Sequence, residues 1–315
     1  MKADQTLSRI GPGFLLVALG AALWGTDALF RWALAFQMPA AKVVFWEHII
    51  LVIVTLPWLR KVVRRRPSFD LKDVAALVFV GAGASAVATI LFTQAFTYGD
   101  PNTPLLLQKL QPVIAVLGAY LLLGERLLPR YASYFLFAVG GAWLISFPDP
   151  LNVSVSQAAP ALLAIGAAAL WAMGTVLGRH LTRKVSPNEL TAIRFAIGLP
   201  TAFLIIVGQG EVSTAMQITG PDLWALALLA LVPGLAALMV YYRGLATTPA
   251  SGATLAELAF PLTAVFVNWL AFDRVPGSTQ WVGIFVLSAT IVVMSLAAAR
   301  RHSEGLGVRE LEPAR

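Results

Sequence analysis

Seven ionisable side chains fall inside otherwise apolar stretches of this chain: Asp27, Arg31, Glu47, His48, Lys109, Arg194 and Glu257. A charge inside a bilayer is costly and is kept where it faces a bundle interior or a water-filled cavity, so chemistry is sought here first. Asp27 and Arg31 stand four residues apart, on one helix face, as a pair that can neutralise itself. Glu47 and Arg194 fall at nearly equivalent places in two matching stretches and are expected to pair, as scaffold or as a proton relay. His48 lies on a different part of the helix surface from Glu47. Lys109, in Gln108-Lys109-Leu110-Gln111-Pro112, and Glu257, in Ala256-Glu257-Leu258-Ala259-Phe260-Pro261, each precede a mid-helix proline. Pro112 and Pro261 are expected to kink their helices, because proline lacks a donor and frees a carbonyl that needs a polar neighbourhood. An ammonium opposite a carboxylate at such a place suits a zwitterionic ligand. The same two residues can instead form a salt bridge that fixes the fold, or one broken and remade in a working cycle.

Aromatic residues accompany these charges. Trp24, Trp171, Phe92, Phe96, Tyr98, Tyr241 and Tyr242 lie on or at the ends of the same apolar stretches. Most aromatics in membrane helices pack or form interfacial belts. Trp24 and Trp171 stand out because they recur at matching mid-helix positions, and with Phe92, Phe96, Tyr241 and Tyr242 they form the candidate aromatic lining. Gln94, Gln108, Gln111 and Asn268 are the polar candidates, Asn268 standing eleven residues, about three turns, beyond Glu257.

The elements that must hold these residues follow from composition. With 58% hydrophobic residues, 12% charged and a mean hydropathy of +0.76, most of the surface must meet lipid. A spanning helix needs about 20 apolar residues. Ten stretches qualify: 13–35, 40–59, 73–97, 104–123, 130–147, 158–181, 187–207, 222–245, 251–271 and 278–298. The connections between them are too short for a soluble domain. The first stretch is too long for a signal-peptide core despite the small-x-small Ala33-Leu34-Ala35, and is read as a retained helix. With the N-terminus inside, 18 of the 23 Lys and Arg residues fall on inner segments, which predicts cytoplasmic termini at both ends of a multi-pass inner-membrane protein. The net charge of +7 is therefore a topology signal, and no nucleic-acid surface accompanies it.

No cofactor, metal or catalytic site is expected. Cysteine is absent, and His48, His180 and His302 are scattered. Neither a zinc-protease H-E-x-x-H, a nucleophile-elbow G-x-S-x-G nor a phosphate-cradling loop occurs. The sequon Asn152-Val153-Ser154 is too short a pattern to carry weight.

The chain also repeats itself. Ala21-Ala22-Leu23-Trp24 returns as Ala168-Ala169-Leu170-Trp171; Pro39 returns as Pro187 at an offset of 148, and Pro112 as Pro261 at 149. The acidic-basic pairs Glu125-Arg126 and Asp273-Arg274 end the matching helices. Five helices per copy is an odd number, so the second copy must enter the membrane from the opposite face, giving an inverted repeat of the kind that supports alternating access. The expected boundaries are a tail over 1–12, repeats over 13–147 and 158–298, and a tail over 299–315.

Ten helices, the duplicated Ala-Leu-Trp, the paired prolines and Leu123-Gly124-Glu125 resemble the EamA-type drug/metabolite transporter superfamily over about residues 13–299, and within it the bacterial amino-acid exporters of the YddG type. The second copy departs from the pattern, with Phe272-Asp273-Arg274 in place of a Gly-Glu ending. The resemblance implies a ten-helix basket whose cavity is lined by helices 1, 3, 4, 6, 8 and 9, with 5 and 10 peripheral. It implies export of amino acids or related metabolites across the inner membrane, without obligatory ion coupling; no obligatory protein partner is expected. Lys109 sits where such exporters are expected to meet substrate, and its charge departs from a strictly aromatic specificity. Competing expectations are a carrier for drugs, nucleotide sugars or phosphorylated compounds, which calls for more cavity cations, and an intramembrane enzyme or lipid flippase, which calls for a catalytic dyad or a lateral groove.

Overall fold

The computed structural model describes residues 12–98, 100–124, 127–128, 130–147, 149–151, 155–245, 247–248, 253 and 256–310. Glu125, Arg126 and the sequon Asn152-Val153-Ser154 lie outside the described residues, as do Lys2, Arg9 and Arg315 of the two tails. Among the described residues there is no strand.

Eight helices are long and apolar enough to cross a membrane: α1 (Pro12–Gln37), α2 (Ala40–Arg65), α3 (Leu71–Tyr98), α4 (Asn102–Leu122), α6 (Ala158–Leu181), α7 (Pro187–Gly208), α8 (Gly220–Leu245) and α10 (Ser278–Ala298). Two shorter apolar helices, α5 (Tyr131–Ser146) and α9 (Ala259–Phe272), complete the ten segments read from the sequence. At 14 residues α9 rises only about 21 Å; Ala253 and Ala256 before it are also helical, and residues 251, 252, 254 and 255 of the expected stretch lie outside the described residues. The polar end Arg60-Lys61-Val62-Val63-Arg64-Arg65 extends α2 beyond its apolar stretch, since a helix need not stop where lipid does.

The main chain departs from α-helix at positions that recur about 149 residues apart. A π-helical segment occupies Phe79–Val87 of α3, and another occupies Ala230–Ala236 of α8, the latter around Pro233. Asp70 and Asp73 form a capping box at the start of α3, and Thr219 with Asp222 forms one at the start of α8. In α4 the turn Gln108–Leu110 tightens to a 3₁₀ helix, and a turn at Glu257 and Leu258 precedes α9. Pro112 and Pro261 therefore sit near the start of fresh helical segments and do not kink continuous ones. The reason is local: the proline ring clashes with the carbonyl four residues earlier, and those residues are Gln108 and Glu257. α1 is also interrupted, at Thr26, whose amide and hydroxyl both donate to the Leu23 carbonyl at 3.1 and 2.7 Å.

Helices pair as α1 with α8, α2 with α7, α3 with α6 and α5 with α10. Small residues permit the approach, as expected where lipid removes the hydrophobic drive between helices. A Cβ on Gly20 of α1 would stand 2.8 Å from the Tyr241 Cα of α8. One on Gly283 of α10 would stand 2.6 Å from the Gly141 carbonyl oxygen of α5. By contrast, Gly140 faces open space.

Replacing Gly283 with valine should destabilise the protein by about 1–3 kcal/mol through overpacking, read as a lower melting midpoint in detergent. Gly140→Val should leave the midpoint within error, and equal losses in both variants would contradict the close α5–α10 approach.

Candidate functional site

The charges of the first two helices gather into one buried cluster. Arg31 is 3% exposed. Its Nε and Nη2 donate to Asp27 Oδ1 and Oδ2 at 2.6 and 2.9 Å, one turn earlier on the segment that opens after Thr26. Nη1 donates to Thr93 Oγ1 of α3 at 2.9 Å and to Glu47 Oε2 of α2 at 3.3 Å. Asp27 and Arg31 thus meet at the spacing read from the sequence, but Glu47 does not pair with Arg194. Arg194 instead donates to the Ala84 carbonyl at 3.4 Å, lies 5.6 Å from the Phe195 ring, and keeps its Nε without a partner. One position of register decides this: Trp46, not Glu47, is the counterpart of Arg194 at the repeat offset of 148. His48 is a packing residue, its ring held between the Val44 carbonyl at 2.8 Å and the Ser85 hydroxyl at 2.9 Å.

A second group forms around the breaks of α4 and α9. The Lys109 ammonium stands 4.2 Å from the centre of the Phe260 ring, a cation–π contact, and Glu257 acts on it through space. Glu257 accepts from the Tyr241 hydroxyl at 2.5 Å. Tyr241 stacks at a tilt on Trp24, centroids 4.8 Å apart, so α1, α8 and α9 converge there. On the α6 side, Trp171 meets Phe92 edge to face at 5.1 Å, and Gln111 donates weakly to Thr175 at 3.4 Å. Trp24, Trp171, Phe92 and Phe260 belong to one packed cluster. Lys109, Glu257, Gln108, Gln111, Trp24, Trp171 and Tyr241 are half-buried, placed to line a site without being locked in a core.

Other expected lining residues are placed elsewhere. Phe96 is fully buried and packs on Phe92. Gln94 is exposed and donates locally to Thr97. Asn268 is fully buried and donates to Asn102 at 2.8 Å, tying α9 to α4. Tyr242 meets the Tyr241 ring edge to face at 5.7 Å and lines a groove of about 580 Å³ between α2, α7 and α8, with Trp58, Met239 and Arg243. Phe260, the platform under Lys109, was missed by sequence reasoning; its signal was its place one residue before Pro261 in the duplicated break.

At the end where α2 and α6 finish, Lys184 donates to Asp73, and Arg65 donates to Glu189 at 2.9 Å. The hydrogen bond it gives to the Asp73 carboxylate raises the pKa of Lys184. That contact is therefore fully present below the ordinary lysine range and is lost only as pH rises above it. At the opposite end of α2, Lys42 donates to the Thr214 and Gln217 carbonyls at 2.8 and 2.5 Å. Among the described residues no group of three or more metal-ligating side chains forms.

A two-copy bundle of apolar helices, interrupted where polar and aromatic side chains collect, defines a membrane transporter of small molecules. The EamA-like transporter family model matches residues 11–147 and again 158–296, and the chain belongs to this family, within the drug/metabolite transporter superfamily. It is similar to the riboflavin transporter ImpX of Fusobacterium nucleatum, 26% identical over 90% of this chain and 96% of that one. A riboflavin transporter of Brucella anthropi is likewise 26% identical, over 91% and 98%. One crystal structure, 20% identical, shares the fold with a TM-score of 0.57 over 91% of this chain and 96% of the other. The Fusobacterium and Brucella relatives carry the name of riboflavin transporter, not that of the YddG-type amino-acid exporters that the sequence resembles.

Replacing Arg31 with methionine leaves Asp27 and Glu47 buried without their cation and should destabilise the protein by about 3–5 kcal/mol, seen as loss of monodisperse protein in detergent. Gln94→Ala should be silent in the same assay.

Proposed function

We propose that this chain is a secondary carrier of the bacterial inner membrane, two inverted five-helix repeats with both termini cytoplasmic, moving a flat heteroaromatic metabolite of the flavin kind by alternating access. The observation that carries the reading is the convergence of Trp24, Tyr241, Trp171 and Phe260 at the two helix breaks, with Lys109, Gln111 and Glu257 among them. Flat rings stack on such side chains. Ring carbonyls can accept from Lys109 and Gln111, and a hydroxylated side chain can donate to Glu257. The names of the relatives support the same class of substrate.

Amino-acid export is the second reading. It is favoured by one observation: Lys109 faces the Phe260 ring and Glu257 the Tyr241 hydroxyl, so a carboxylate and an amine could each find a partner.

Counterflow of labelled riboflavin into proteoliposomes, beside a panel of amino acids, separates the two. Saturable riboflavin exchange is expected. Trp24→Ala or Trp171→Ala should weaken its apparent affinity about tenfold, since one aromatic stacking partner contributes about 1–3 kcal/mol. Amino-acid exchange without riboflavin exchange would install the second reading. For topology, a cytoplasm-active reporter fused after Arg315 should give signal, and a periplasmic readout would overturn the orientation.

A further inference from the structure

The buried cluster on α1 and α2 is unbalanced: one guanidinium faces two carboxylates. Asp27 takes the forked pair at 2.6 and 2.9 Å, within the range of strong charge-assisted bonds. Glu47 is left with longer contacts of 3.3 and 3.5 Å while only 5% exposed. A buried carboxylate without its own counter-charge is strongly disfavoured.

Charges on the packed helices are engaged elsewhere. His48 is tied to Val44 and Ser85, and Arg194 of α7 turns to Ala84. Glu189 of α7 belongs to Arg65, and Asp222 caps the far end of α8. Glu257 of α9 binds Tyr241, and Asp273 is exposed at the end of α9. One positive unit is therefore missing at Glu47, and a proton can supply it.

Four consecutive residues join this cluster to the aromatic site. Trp24 stacks on Tyr241; Gly25 lies so close to α9 that a Cβ would stand 2.8 Å from the Phe260 carbonyl; Thr26 interrupts the helix; Asp27 holds Arg31. A second link runs through α3: the Arg31 guanidinium lies 5.6 Å from the Phe92 ring, which meets Trp171. Interrupted helices with charge at the interruption are where carriers hold coupling ions. At the offset of 147 that relates Trp24 to Trp171 the second repeat has Gly174 where the first has Asp27, and at 148 it has Phe195 where the first has Glu47, so the device is built once.

We propose that the Asp27–Arg31–Glu47 cluster is a proton-binding site that couples transport to the proton gradient, with Glu47 the carboxylate that takes up and releases the proton. The step breaks no bond but the one to the proton. A neutral Glu47 leaves Arg31 wholly to Asp27; an ionised Glu47 competes for the same guanidinium and pulls on the segment after Thr26. This rests on the carrier reading, and the test separates the two.

The isosteric variants Glu47→Gln and Asp27→Asn each restore charge balance and should fold. In proteoliposomes, a gradient of about one pH unit should drive about tenfold accumulation of riboflavin by the wild type, with proton movement reported by a trapped pH dye. Both variants should keep counterflow and lose accumulation and the dye signal. Independently of any substrate, the infrared band of a protonated carboxyl that appears on acidification should vanish in Glu47→Gln. Unchanged accumulation in both variants, an unchanged band in Glu47→Gln, or wild-type accumulation driven by sodium and not by protons overturns the proposal. No riboflavin flux in the wild type, with the band still lost in Glu47→Gln, counts against the substrate reading and for the proton site.

Discussion

A bilayer interior offers no water to a freed carbonyl and no counterion to a charge, so each break in a spanning helix must be satisfied from within. This chain meets that demand locally. The Leu23 carbonyl, exposed by the interruption at Thr26, accepts from the Thr26 hydroxyl. The Gln108 carbonyl accepts from the Gln111 amide and the Glu257 carbonyl from the Phe260 amide, the latter at 3.1 Å. The candidate chemistry then sits beside these same breaks: Asp27 after the first, Lys109 within the second, Glu257 at the third. Irregular backbone and polar side chains share one neighbourhood because each makes the other less costly.

Close packing by small residues is what brings the breaks together. Gly20 and Gly25 let α1 lie against α8 and α9, so Trp24 can reach Tyr241 while the next turn reaches Arg31. Gly198 of α7 leaves room for the His48 ring, which in turn is anchored to Ser85 in the π-helical segment of α3. A larger residue at any of these glycines would move a break relative to its partner side chains, not merely loosen the bundle.

The sequence carried the helices and their duplication because both are one-dimensional patterns: apolar length, and landmarks at a constant offset. It carried the Asp27–Arg31 contact for the same reason, since four residues along a helix fixes a face. It did not carry the third member. Whether Glu47 meets Arg31 or Arg194 depends on how α2 rotates between α1 and α7, and a shift of one residue turns a helix by about 100°. Lys109 and Glu257 could be placed at matching breaks, but that the ammonium would lie over the Phe260 ring is a matter of side-chain direction. Tyr241 and Tyr242 illustrate the limit: adjacent in sequence, they serve different places, one at the aromatic cluster and one in the groove by Trp58. The breaks themselves were displaced from the prolines that cause them, because the steric conflict falls on the carbonyl four residues earlier.

The proposed inverted arrangement gives the two copies different work. If the repeats were identical, the inward-open and outward-open forms would be related by a two-fold rotation that exchanges the same contacts, equal in energy, and nothing in the protein would set a preference. Departures from symmetry therefore carry the bias. At the breaks Gln108 and Lys109 of the first copy stand against Glu257 and Leu258 of the second, and Gln111 stands against Phe260. At the start of the cluster Asp27 stands against Gly174, and Glu47 against Phe195. Cation, amide and ion pair lie in the first copy; carboxylate and aromatic platform lie in the second. Under the proposed alternating access, Lys109 and Phe260 move relative to each other, and so do Trp24 and Tyr241, because each contact joins one copy to the other. A ligand held between them is then gripped by contacts that change with the exchange. That is the condition under which binding can shift the balance between the two forms, since a ligand with equal affinity for both shifts nothing.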